Sequence, residues 1–100
     1  MQHIILLHGA LGSKEQVQPL AAALQPELQV HTFNFSGHGG RPFPDTAFSI
    51  PLFAEQIAQY MHEKGIAQAY IFGYSMGGYA AMFLAKKHPE KVNKLITLAS

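Results

Sequence analysis

The chain has 100 residues, 48% of them hydrophobic, a length and apolar share that suit one globular domain spanning residues 1–100. Its formal net charge of +1 comes from mixed signs without a basic stripe, which argues against nucleic acid as a partner. There are no cysteines, so disulfides, thiolate chemistry and cysteine-held metals are excluded together, and a reducing cytoplasm suits the composition.

The first apolar run, Ile4-Ile5-Leu6-Leu7, is ended by His8-Gly9 and reads as a parallel strand buried on both faces. It is too short for a membrane span, has no basic lead-in and is followed by no small-residue cleavage site, so neither an anchor nor a signal peptide is expected. Ser13 and Gln16 have the spacing of a capping box, while Pro19 sets the regular helix to begin around Gln16 to Pro19. Leu20 to Leu24 is alanine-rich helix, stopped by Pro26.

Leu28 to Phe35 alternates apolar and polar residues, the pattern of a strand near a sheet edge. Ser36 to Ala47 is a loop by its glycine and proline content. Ser49 is placed to cap a helix from Ile50 to Lys64, whose apolar face is Phe53, Ile57, Tyr60 and Met61, with Gly65 as its stop. Ala69 to Phe72 is a third strand, Met76 to Lys87 a helix, and Leu95 to Ala99 a fourth strand.

The resulting β-α-β-α-β-α-β order predicts an open parallel α/β sheet with helices on both faces. With the first strand central, the second beside it and the third on its other side, the order is second-first-third-fourth, with a switch point between the first and third strands. Right-handed crossovers then put the first helix on one face and the next two on the other. The carboxyl ends that meet there carry "HGALGS" (His8 to Ser13) and "GYSMGG" (Gly73 to Gly78). The six histidines form no i, i+4 pair and have no carboxylate placed to complete a triad, so no metal site is expected.

Four segments together, "LLHGALGS", "FNFSGHGGRP", "FGYSMGG" and "HPEKVNKLITLAS", resemble the front half of an α/β-hydrolase of the small esterase and lactonase type. They are also similar to the menaquinone-pathway lyase branch of that superfamily. The resemblance covers essentially the whole chain. It implies that "GYSMGG" is a nucleophile elbow, in which a strand turns at once into a helix and lifts the serine Oγ out of the sheet.

On that resemblance Ser75 is the nucleophile, and the backbone N–H groups of Met76 and Ala10 form the oxyanion hole. Tyr74 and Leu11 are candidate pocket-lining residues, and Tyr74 and Met76 fit ordinary packing equally well. The resemblance makes His8 a loop-shaping residue and His38 a loop-packing one. His88 belongs at the far end of the helix after Ser75, about 18 Å away. Arg41 and Asp45 read as solvated loop charges.

The family's acid and histidine follow later strands. A segment of a longer hydrolase and a naturally short binding or scaffold protein are both compatible with the 100 residues. The resemblance implies a small ester-like substrate and no cofactor. It also implies that the rest of the fold, or self-association, covers the open sheet.

Overall fold

The structure is a computed structural model that describes residues 2–9, 12–25, 27–41 and 49–98. Strands β1 (His3–Leu7), β2 (Gln29–Thr32), β3 (Ala69–Tyr74) and β4 (Val92–Leu98) form one sheet in the order β2-β1-β3-β4. Every neighbouring pair is parallel. The strand order and the edge position of β2 are those expected.

Helix α1 (Gln18–Leu24) lies on one face, preceded by a 3₁₀ turn over Lys14–Val17. There Val17 and Ala21 pack against Ile4 and Leu6. Helices α2 (Ile50–Lys64) and α3 (Met76–Lys87) cover the other face. Phe53, Ile57, Met61, Ala80, Ala81 and Leu84 bury Ile5, Leu7 and Ile71 there. The alternation of β1 divides its residues between these two cores, as its both-faces-buried pattern requires.

The sequence signals at helix ends are realised locally. Ser49 Oγ accepts the N–H of Leu52 at 3.1 Å and caps α2. Gly65 closes the same helix in the left-handed region at φ 69°, with its N–H on the carbonyls of His62 and Met61.

Three expectations are corrected. The strand expected over Leu28 to Phe35 pairs only from Gln29 to Thr32. Beyond it the backbone turns to side chains: the Phe35 N–H donates to His8 Nε2 and the Ser36 N–H to Gln56 Oε1. The third strand runs on to Tyr74, because Gly73 pairs with Leu7 on one side and Thr97 on the other. The fourth begins at Val92, with an irregular register beside Ala69 and Ile71.

The capping box also fails. Ser13 makes no side-chain cap, and the Gln16 amide reaches back to Gly9 instead. Among the described residues no helix is long and apolar enough to cross a membrane, and no three His, Cys, Asp or Glu side chains cluster as metal ligands.

Candidate active site

The junction of β3 and α3 holds the most unusual backbone among the described residues. Ser75 has φ 52° and ψ −112°, and no other described non-glycine residue has a positive φ. Such a conformation costs about 1–3 kcal/mol and persists only when its surroundings force it.

Glycines make that forcing fit. A Cβ on Gly73 would lie 2.5 Å from the Gly78 nitrogen and 2.6 Å from the Gly77 carbonyl carbon. A Cβ on Gly77 would meet the His8 carbonyl oxygen at 2.6 Å and Leu7 Cβ at 2.7 Å. The first turn of α3 therefore rests directly on the backbone of β3 and the end of β1.

Hydrogen bonds fix the turn from both sides. The Ser75 N–H donates to the Leu98 carbonyl at 2.8 Å, while the Ser75 carbonyl accepts the Tyr79 N–H as the first bond of α3. Met76, Gly77 and Gly78 open the helix, so their N–H groups have no intrahelical acceptor. They stand where the helix macrodipole favours negative charge.

The facing segment follows β1. A Cβ on Gly9 would meet Tyr74 Cδ2 at 2.9 Å and the Tyr74 carbonyl oxygen at 3.3 Å, which sets Gly9 against the residue before Ser75. The topology thus brings the two glycine-rich segments together at the switch point. Ala10 and Leu11 lie outside the described residues, as does Asp45.

His8 is fully buried and engaged at both ring nitrogens. Its Nε2 accepts the Phe35 N–H at 3.1 Å, which requires the proton on Nδ1, and Nδ1 donates to the Gly9 carbonyl at 2.8 Å. Burial holds its pKa below the usual 6.5 and the neighbouring His38 lowers it further, against a raising effect of the Gly9 bond. The imidazole is neutral and shapes the loop; neither nitrogen is spare for proton transfer.

The remaining histidines stand elsewhere. His38 is buried with Nδ1 3.0 Å from the Ser36 carbonyl, and its ring lies tilted at 43° to that of His8. His88 follows the last turn of α3, 3.4 Å from Glu90. His3 and His31 contact each other at the opposite end of the sheet, where His31 also meets the Tyr60 hydroxyl. Arg41 donates to the Asn34 carbonyl at 2.8 Å and so braces the loop after β2.

Tyr74 and Met76 point to different faces. Met76 packs against the core beneath α2 and α3. Tyr74 lines an open hollow of about 400 Å³ on the α1 side, together with Gln16, Val17, Leu20, Phe72 and Leu98. Gln16 is the site residue that sequence reasoning assigned elsewhere: its Oε1 accepts the Gly9 N–H at 2.9 Å. Its position three residues after Ser13 pointed to a helix cap, and nothing in the spacing pointed back to Gly9.

A family model described as alpha/beta hydrolase fold matches residues 2–100. The chain is 33% identical over 97 residues to an sn-1-specific diacylglycerol lipase from Xenopus laevis, a match covering 95% of this chain and 31% of that protein. It is 34% identical over 98 residues to a pimeloyl-acyl-carrier-protein methyl ester esterase from Aeromonas hydrophila, covering 97% of this chain and 37% of that one. Among solved structures it is similar to a marine microorganism esterase, with TM-score 0.91 and 33% identity over 96% of this chain and 36% of that one. The chain thus spans about a third of the length of the relatives it matches.

Proposed function

The chain belongs to the α/β-hydrolase family, and from that premise we propose that the intact protein is a serine hydrolase acting on a carboxylic ester, thioester or lactone. The observation that carries the reading is the backbone of Ser75, held at φ 52° between β3 and the N-terminus of α3. Strain of this kind in a tight glycine-lined turn is what lifts a serine hydroxyl out of a sheet.

In the proposed reaction Ser75 Oγ attacks the acyl carbon while a general base takes its proton. The bond to the leaving alcohol or thiol then breaks, and that group departs with the proton. Water attacks the acyl-enzyme, releasing the acid and restoring the serine. The Met76 and Ala10 N–H groups receive the oxyanion, each donor lowering the barrier by about 3 kcal/mol.

Neither His8, committed at both nitrogens, nor His88, at the far end of α3, stands as that base. The reading therefore assigns the base and its carboxylate to chain that follows β4, in the family order serine, acid, histidine. The 100 residues alone are inactive on this reading.

The test is labelling of the full-length protein by a fluorophosphonate, which phosphonylates an activated serine with loss of fluoride. Stoichiometric labelling, abolished in Ser75→Ala, is the expected result. An unlabelled Ser75 would instead favour a non-catalytic binding module of the same fold. Labelling without turnover of any simple ester would favour a lyase.

The sheet also requires cover. Ile96 and Leu98 on the edge strand β4 are 60% and 52% exposed, and Ile4, Leu24, Leu28, Phe72 and Ile96 border an apolar groove of about 480 Å³ beside α1. The isolated 100-residue piece is expected to self-associate or to bind a dye specific for apolar surface. A dye-free, monomeric sedimentation profile would overturn this.

A further inference from the structure

We infer that Gln16 is a positioning residue for the oxyanion side of the site, an inference that rests on the hydrolase reading above. Gly9 has both backbone groups occupied. Its carbonyl accepts from His8 Nδ1 at 2.8 Å and from the Gly12 N–H at 3.1 Å, and its N–H donates to Gln16 Oε1 at 2.9 Å. His8 and Gly12 act on the carbonyl alone. Gln16 is the side chain that takes hold of the N–H.

Two further features show that this contact is built into the fold. Gln16 sits on the 3₁₀ turn, whose N–H to the Ser13 carbonyl fixes its backbone at 2.9 Å. A Cβ on Gly12 would fall 2.5 Å from Gln16 Oε1, so the absence of a side chain at Gly12 leaves the space that the amide fills. The amide is thereby wedged between Gly9 and Gly12.

Two consequences follow for the chemistry. The Gly9 N–H is spent inside the protein and is not a donor to an oxyanion, so a donor from this segment has to come from beyond Gly9. Gly9 also abuts Tyr74, immediately before Ser75. The Gln16 amide therefore sets the height of the loop against the elbow. Displacement of reacting groups by about 1 Å can cost on the order of 100-fold in rate.

The experiment compares Gln16→Leu and Gln16→Glu in the full-length protein, with p-nitrophenyl acetate and the fluorophosphonate as probes. Leucine removes the acceptor at similar size, whereas glutamate keeps a carboxyl oxygen for the Gly9 N–H. Gln16→Leu is expected to lower kcat, and the rate of phosphonylation, by about tenfold or more while KM moves less than about threefold. Gln16→Glu is expected to recover most of that loss. Thermal melts establish that folded proteins are compared, and Gln16→Met replaces the leucine variant where it does not fold.

A loss in kcat below tenfold, or a glutamate variant as slow as the leucine one, overturns the inference while leaving the hydrolase reading intact. A wild-type protein that neither hydrolyses the ester nor takes up the fluorophosphonate overturns both.

Discussion

Replacing Gly73 by alanine is expected to destabilise the full-length protein by about 3 kcal/mol or more and to abolish labelling of Ser75. The added methyl would lie 2.5 Å from the Gly78 nitrogen and 2.6 Å from the carbonyl carbon and oxygen of Gly77. These are backbone atoms of the first turn of α3, so no flexible side chain can move aside. Relief requires the helix start to lift off the strand, and that motion carries Ser75 out of its turn. Packed interiors transmit such a shift rather than absorb it.

Gly65→Ala provides the contrast. Nothing lies within 4 Å of a Cβ there, but φ is +69°. Alanine at Gly65 meets only the left-handed backbone penalty, about 1 kcal/mol, far from the elbow. Denaturant midpoints of the two variants, compared at equal slope, separate steric from conformational cost. A Gly73→Ala protein within 1 kcal/mol of wild type, or one that still labels fully, would show that the close approach of β3 and α3 does not govern the site.

Much of this architecture was legible because its signals are local. Ser49 and Gly65 bracket α2, and lysines followed by His88-Pro89 end α3, where capping chemistry acts within a few residues. The faces that the helices cover followed from handedness once the first strand was placed at the centre of the order. What escaped the sequence was contact between distant residues. The end of β2 is decided by His8 and Gln56, which lie 27 and 20 residues away and take the N–H groups of Phe35 and Ser36.

The site divides in the same way. The tight turn at Ser75 was readable because the glycines around it report its steric needs. The partner of Gln16 was not, since an amide three residues after a serine has a local use that periodicity cannot distinguish from a longer reach. Tyr74 and Met76 flank Ser75 in sequence yet serve opposite faces, because β3 ends and α3 begins between them.

The full-length protein is also expected to lose stability on acidification through His8. Folding needs this imidazole neutral: Nε2 accepts from Phe35 and Nδ1 donates to Gly9. A second proton would set an N–H against the Phe35 N–H inside the core. The groups around it are the Phe35 and His38 rings, each with its centroid 5.1 Å away, and the Glu15 carboxylate, whose charge acts to raise its pKa. Burial dominates, and the folded-state pKa lies below 6.5. The unfolded chain accordingly takes up its proton first as pH falls. Stability from this group is complete above about pH 6.5 and declines below it, down through the folded-state value.

His31 adds a contribution of the same sign at the other end of the sheet, where burial, His3 and Lys64 lower its pKa. The two are separated by substitution. His8→Ala leaves the Phe35 N–H without its acceptor, takes one of two donors from the Gly9 carbonyl and opens a void, at a cost of about 3 kcal/mol at neutral pH. It should also flatten the fall in melting temperature between pH 7 and 5, leaving only the part due to His31. His31→Asn, on the half-buried edge strand β2, should cost little at pH 7 and remove only its own share of the slope. A His8→Ala protein with an undiminished acid slope would mean that protonation elsewhere drives acid unfolding, and that the loop after β1 keeps its shape without a neutral imidazole beneath it.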